Sequence, residues 1–210
     1  MKKIILMFIL FICLWFTSVR ASLPLSGKLI VIDPGHGGKD PGTIYGAILE
    51  KNINLEISMA LEKELIKNGA SVVLTRDGDY DLAAPDVDRR KKSDFDNRIR
   101  LINNSGADLY LSIHINHLPD QSYSGGQIFY YSETNKKLAQ ILQDKFNEIS
   151  HKREIKIMPD IYMYRRLKLP GVLVECGFLS NSKERILLQQ SDYQIQMAKQ
   201  ITNGLIEYFN

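Results

Sequence analysis

The chain has 210 residues, 44% of them hydrophobic and 24% charged, with 27 Lys and Arg against 24 Asp and Glu, a formal net charge of +3. That composition excludes intrinsic disorder. Lys2, Lys3 and Arg20 carry the whole excess, so residues 22–210 hold 24 charges of each sign. A balanced domain argues against nucleic-acid binding, which needs surplus Lys and Arg for phosphate contacts.

Met1-Lys2-Lys3 precedes sixteen uncharged residues, Ile4 to Val19. At about 1.5 Å per residue, a helix of that length falls short of a hydrocarbon core of ~30 Å. A basic start, an apolar run and a small residue at Ala21 read as a secretory signal peptide, with an uncleaved short membrane anchor as the alternative. Residues 22–210 are then expected to form one domain exported across the cytoplasmic membrane, secreted or anchored, with membrane contact only through residues 1–21. The two cysteines, Cys13 in the apolar run and Cys176 in a later strand, cannot sensibly pair. Cys176 reads as a free, buried and inert thiol.

In chain order, Leu29–Asp33 (LIVID) is predicted as a buried strand ended by Pro-Gly. Asn52–Lys67 carries Ile53, Ile57, Leu61 and Leu65 at helical spacing, with Gly69 where a C-terminal cap belongs. Ser71–Thr75 is the next strand. Arg89-Arg90-Lys91-Lys92, flanked by Asp86, Asp88, Asp94 and Asp96, reads as a solvated face or helix start. A helix over Asp94–Asn104, a strand over Leu109–Ile115, a strand over Gln127–Tyr131 and an amphipathic helix over Asn135–Ile149 follow. Ile155–Tyr164 is expected to be a loop with a short strand. Gly171–Cys176 (GVLVEC) is a buried strand, and two helices, around Lys183–Gln190 and Tyr193–Tyr208, finish the chain. Alternation of strands and helices predicts a single α/β layered domain with helices on both faces of the sheet. Ligand sites in such sheets lie at strand ends.

Four residues stand at such places. His36 lies in the glycine-rich turn Asp33-Pro34-Gly35-His36-Gly37-Gly38, Glu50 just before the first helix, His114 at the end of the third strand and Glu175 inside the last. The turn lets the backbone approach something closely, and it lacks the Gly-Lys-Ser/Thr ending of a phosphate loop. Singly, each residue has an ordinary reading: a charge favouring the helix dipole for Glu50, a satisfied core imidazole for His114. Glu175 amid Val172, Leu173, Val174 and Phe178 is costly without a partner. Together, two His and one Glu have the composition of an open zinc site, and a second carboxylate beside it suits a proton acceptor. His117 is expected at the rim, because residues three apart on a strand face opposite ways. His151 reads as a cation at a helix C-terminus.

The segments Val31–Gly42 (VIDPGHGGKDPG), Leu49-Glu50-Lys51, Thr75-Arg76, Ala107–Asn116 (ADLYLSIHIN) and Pro170–Asn181 (PGVLVECGFLSN) resemble the zinc-dependent N-acetylmuramoyl-L-alanine amidases of the amidase 3 type. The layout most resembles the germination-specific members from spore-forming bacteria. The resemblance implies a twisted, roughly six-stranded sheet flanked by helices, one Zn2+ held by His36, Glu50 and His114, and Glu175 as the catalytic carboxylate. It implies hydrolysis of the amide between N-acetylmuramic acid and L-alanine in peptidoglycan, in spore cortex before muramic lactam forms. A partner protein for targeting or activation is expected. No helical plug is expected between Tyr131 and Pro170. Two roles stay open for Asp33: orienting a ligand imidazole, or capping the glycine turn. Arg98 is either an anchor for a substrate carboxylate or part of a solvated helix face. The alternatives in function are a zinc peptidase of the stem peptide and a non-catalytic wall-binding relative.

Overall fold

The computed structural model describes residues 22–210. The expectations for a signal peptide or anchor, and for Cys13, lie outside those residues. Among the described residues no helix is long and apolar enough to cross a membrane.

Among the described residues eight strands and five helices follow one another: β1 (Leu29–Pro34), β2 (Ile44–Tyr45), β3 (Ile48–Leu49), α1 (Glu50–Lys67), β4 (Ser71–Leu74), α2 (Arg90–Asn104), β5 (Leu109–Asn116), β6 (Gln127–Tyr130), α3 (Lys136–Phe146), β7 (Lys156–Ile157), β8 (Gly171–Phe178), α4 (Ser182–Leu187) and α5 (Ser191–Phe209). Six strands form one sheet in the order β4-β1-β5-β8-β6-β7. The pairings of β1 with β4 and β5, and of β5 with β8, are parallel, while β6 runs antiparallel to β8. The sheet and its flanking helices agree with the α/β reading.

Alternation along each strand sorts its side chains between two faces. Ile30, Ile32, Leu109, Leu111, Ile113, Val172, Val174 and Cys176 point to one face, where α1, α3 and α5 cover them. Val31, Tyr110 and Leu173 point to the other, which α2 and the segment between β7 and β8 cover through Ile102, Met158, Met163 and Tyr164. Asp33, Ser112, His114 and Glu175 continue the series of this second face toward the C-terminal strand ends. Cys176 is fully buried on the first face, and burial pushes its thiol well above the usual range.

The observed boundaries refine the sequence reading. α1 starts at Glu50, two residues earlier than the apolar spacing indicates, and ends at Lys67 with Asn68 as its cap, after which Gly69 takes φ +97° and Ala70 N–H donates to the Leu65 carbonyl. α2 starts at Arg90, four residues before the expected Asp94, so of the two readings of the basic run the helix start holds. α3 ends at Phe146, so His151 lies five residues beyond it and is no helix-terminal cation. Between Tyr131 and Pro170 the chain forms α3, β7 and two short 3-10 turns, with no further helix.

Candidate metal centre

β1, β5 and β8 lie side by side at the sheet centre, and their C-terminal ends carry the site. The register pairs Asp33 with Ser112 and His114 with Glu175. Glu50 arrives from a different element. The β2–β3 hairpin, turning at Gly46 with φ +60°, pairs Ile44 with Leu49 and delivers the next residue, Glu50, as the first of α1. The sequence reading missed this hairpin; its signal is Gly46 between the pairs Ile44-Tyr45 and Ile48-Leu49.

Two buried guanidinium groups fix the turn that carries His36. Arg76 donates to the carbonyls of Pro34 (2.9 Å), Gly35 (2.9 Å) and Lys51 (2.8 Å), tying the turn to the start of α1. Arg98 of α2 donates to Asp33 Oδ1 (2.7 Å), the Pro34 carbonyl (2.9 Å) and the His36 carbonyl (2.6 Å), and its Nε pairs with Asp94. Arg98 is 2% exposed, so it is neither a carboxylate anchor nor part of a solvated face. Its partners are two backbone carbonyls and two carboxylates inside the protein, acceptors whose burial calls for donors. His36 itself sits at φ 63°, a left-handed backbone held by these contacts.

The structure brings His36, Glu50 and His114 together, with one ligand atom from each within 4.8 Å of the others. Glu50 Oε1 lies 3.2 Å from His36 Nε2 and 3.1 Å from His114 Nδ1. Glu50 Oε2 accepts the Thr43 N–H at 2.8 Å, and Oε1 also accepts Asn54 Nδ2 and Ile115 N–H, each at 3.2 Å. Burial works against the Glu50 carboxylate, but the two imidazoles outweigh it and hold its pKa far below the carboxylate range. Glycines make room for this convergence. A Cβ on Gly35 would stand 2.3 Å from His114 Cε1, and one on Gly42 would stand 2.6 Å from Glu50 Oε2 and 2.7 Å from His36 Cδ2. What the glycine-rich turn approaches is the site's own side chains.

Asp40 is the orienting carboxylate that sequence reasoning missed: its Oδ2 lies 3.0 Å from His36 Nδ1. Asp33 fills neither role left open for it. It accepts from Thr75 (2.6 Å), Arg98 and Ser112 (2.9 Å), and touches no imidazole. With Nδ1–H of His36 directed at Asp40, Nε2 is the nitrogen left to face the centre, where a bound cation would take the place of a proton. Three electron-rich atoms then face one another, an arrangement that calls for a cation between them. Burial disfavours a charged His36, yet Asp40 and Glu50 prevail and raise its pKa to about 9. The centre therefore stabilises positive charge, which fits a divalent metal ion.

Glu175 is a half-buried residue whose Oε2 is buried without a hydrogen-bond partner. Burial, with the Glu50 carboxylate adding to it, pushes its pKa up to about 8, and His36 only partly offsets this. His117 is exposed and outside the ligand set, on the rim of the opening shared by His36, Glu50, His114 and Glu175. Beside the centre runs a cleft of about 320 Å³ with an apolar wall of Phe95, Ile161, Met163 and Leu173.

The model of the family described as N-acetylmuramoyl-L-alanine amidase, amidase 3, matches residues 30–207. The chain belongs to this family. It is 44% identical over 195 residues to the germination-specific N-acetylmuramoyl-L-alanine amidase of Bacillus subtilis, covering 90% of this chain and 82% of that one. Among solved structures it resembles the CwlD amidase from Clostridioides difficile, determined in complex with the GerS lipoprotein, with a TM-score of 0.81, 36% identity and coverage of 86% and 98%. It also resembles the catalytic domain of CwlV, an N-acetylmuramoyl-L-alanine amidase from Bacillus (Paenibacillus) polymyxa, with a TM-score of 0.76, 31% identity and coverage of 86% and 97%. The amidase hydrolyses the amide that joins N-acetylmuramic acid to L-alanine in peptidoglycan.

Proposed function

We propose that His36, Glu50 and His114 hold one Zn2+ and that Glu175 is the catalytic carboxylate of the amidase. The observation that carries this is the unpartnered, buried Oε2 of Glu175 on the strand beside His114, opening onto the same space as the converging ligand atoms. A buried carboxylate without a donor is costly unless its use is chemical. Zinc, when bound, supplies a Lewis acid that polarises the scissile carbonyl and lowers the pKa of a coordinated water toward ~7.

The chain's own groups do the rest. Glu175 takes a proton as a water oxygen bonds to the carbonyl carbon, then returns it to the alanine nitrogen as the carbon–nitrogen bond breaks. Asp40 holds the His36 ring, and the apolar wall of Phe95, Ile161, Met163 and Leu173 keeps water from one side of the reacting bond.

The Glu175→Ala variant tests the assignment. It is expected to keep one equivalent of metal and to lose turnover on intact peptidoglycan by roughly a hundred- to ten-thousand-fold. Loss of the metal as well would make Glu175 a ligand and overturn the role. Product analysis separates the amidase from a stem-peptide zinc peptidase, since only the amidase frees the amino group of L-alanine and leaves bare muramic acid.

The biological setting is part of the same proposal. Residues 22–210 act as the catalytic domain, exported by residues 1–21, on spore-cortex peptidoglycan, where removal of the peptide precedes muramic lactam formation. The 44% identity to a germination-specific amidase supports this. The lipoprotein complex of the C. difficile relative supports a partner protein here. Full activity of the purified chain on cortex peptidoglycan with nothing added would contradict that need.

A further inference from the structure

Tyr164 enters the site from an element that carries no ligand. It stands in the 3-10 turn Tyr164–Arg166, between β7 and β8, and is 6% exposed. Its hydroxyl lies 3.1 Å from Ser112 Oγ and 3.4 Å from His114 Nε2, and Ser112 Oγ lies 2.9 Å from Asp33 Oδ2. The direction of this chain is determined by what each group can do. Asp33, held ionised by Arg98 and Thr75, only accepts. Ser112 therefore spends its single hydrogen on Asp33 and meets Tyr164 as an acceptor. Tyr164 spends its hydrogen on Ser112, and its oxygen faces His114 as an acceptor. Only an Nε2–H on His114 satisfies that oxygen. The ring's Nδ1, 3.1 Å from Glu50 Oε1, is then left with a free lone pair toward the centre.

We propose that Tyr164 is a positioning residue that fixes His114 in its Nε2–H tautomer, through a one-way hydroxyl chain running from Asp33 by way of Ser112. Tyr164 does for His114 what Asp40 does for His36. The two imidazoles thus have different outer partners, an ionised carboxylate for one and a neutral phenol for the other. Outer partners of this kind set ligand orientation and basicity, and their loss typically weakens metal binding 10- to 100-fold. The proposal rests on the zinc reading given above.

The experiment is zinc affinity by chelator competition on the full chain, for wild type, Tyr164→Phe and Thr202→Val. Thr202 serves as a control because its hydroxyl, also buried, bonds only within α5. Tyr164→Phe is expected to bind zinc about tenfold more weakly, with a metal-free melting temperature close to wild type, while Thr202→Val keeps wild-type affinity. Equal affinity of Tyr164→Phe and wild type would overturn the proposal, and so would a loss of turnover at unchanged affinity, which would place Tyr164 in the chemistry instead. Imidazole 15N spectra of the zinc-loaded wild type provide a readout that needs no variant: His114 must show a protonated Nε2 and a coordinated Nδ1. The reverse assignment would sink the inference even if Tyr164→Phe failed to fold. Failure of the zinc reading is distinguishable, because wild type itself would then bind no zinc.

Discussion

At Gly35 the constraint is a neighbour rather than the backbone. The space where its side chain would begin is taken by the His114 ring, 2.3 Å from a built Cβ, and no positive φ is involved. The Gly35→Ala variant must push the His114 ring aside. It is expected to cost about 1–3 kcal/mol of stability, the usual range for overpacking, and to fall well below one zinc per chain in metal analysis. Gly46 is the opposite case: φ is +60° and nothing lies within 4 Å of a Cβ. Gly46→Ala is expected to cost about 1–2 kcal/mol from the left-handed backbone while keeping full zinc content. Denaturant melts with metal analysis on both variants separate crowding from strain. The sequence indicates that glycines permit a close approach here; it does not indicate what approaches, because His114 lies 79 positions downstream of Gly35.

Among the elements, α2 holds the site in shape without supplying a residue of the His36, Glu50 and His114 cluster. Arg98 reaches from α2 to Asp33 on β1, and both side chains are 2% exposed. Burial alone would raise the Asp33 pKa, but Arg98 and Thr75 overcome it and hold the carboxyl below the usual range. The unfolded chain titrates this group near ~3.9. Its contribution to stability is therefore complete above that pH and is lost as pH falls through it toward the lower folded value. Urea melts of the metal-free protein should show this stability falling as pH drops below about 4. Asp33→Asn is expected to be less stable at neutral pH by roughly 3 kcal/mol, the low end for breaking a buried pair, because Asp94 still serves Arg98. It should also lose part of the acid slope; an unchanged slope would show that the pair does not govern it.

Strand patterns explain what was readable at this scale. LIVID, LYLSIHI and GVLVEC announce buried strands, and all three are there. Asp33, Ser112, His114 and Glu175 fall on alternate positions of those strands, which is the signal that they share a sheet face. Tyr164 and Asp40 carry no such signal, since each lies in irregular chain whose path depends on tertiary packing. The β2–β3 hairpin was missed because its strands are two residues long, too short to show a period.

For the whole molecule, the layered α/β order followed from alternation, while the strand order β4-β1-β5-β8-β6-β7 did not, because pairing partners are set by packing of distant segments. That order places three ligand-bearing or acid-bearing strand ends side by side. The three proposed ligands are separated by 14 and 64 residues of chain. A cation seated among them is a cross-link as well as a cofactor, tying the turn after β1, the head of α1 and the end of β5 into one knot. Whatever binds the native form alone raises its melting temperature, by about 2.7 kcal/mol of added stability at a hundredfold excess over the dissociation constant. Calorimetry with and without a chelator should show this gain for the wild type and none for His114→Ala. Metal scarcity would then do more than silence the enzyme: it would loosen the fold and open the chain to proteolysis.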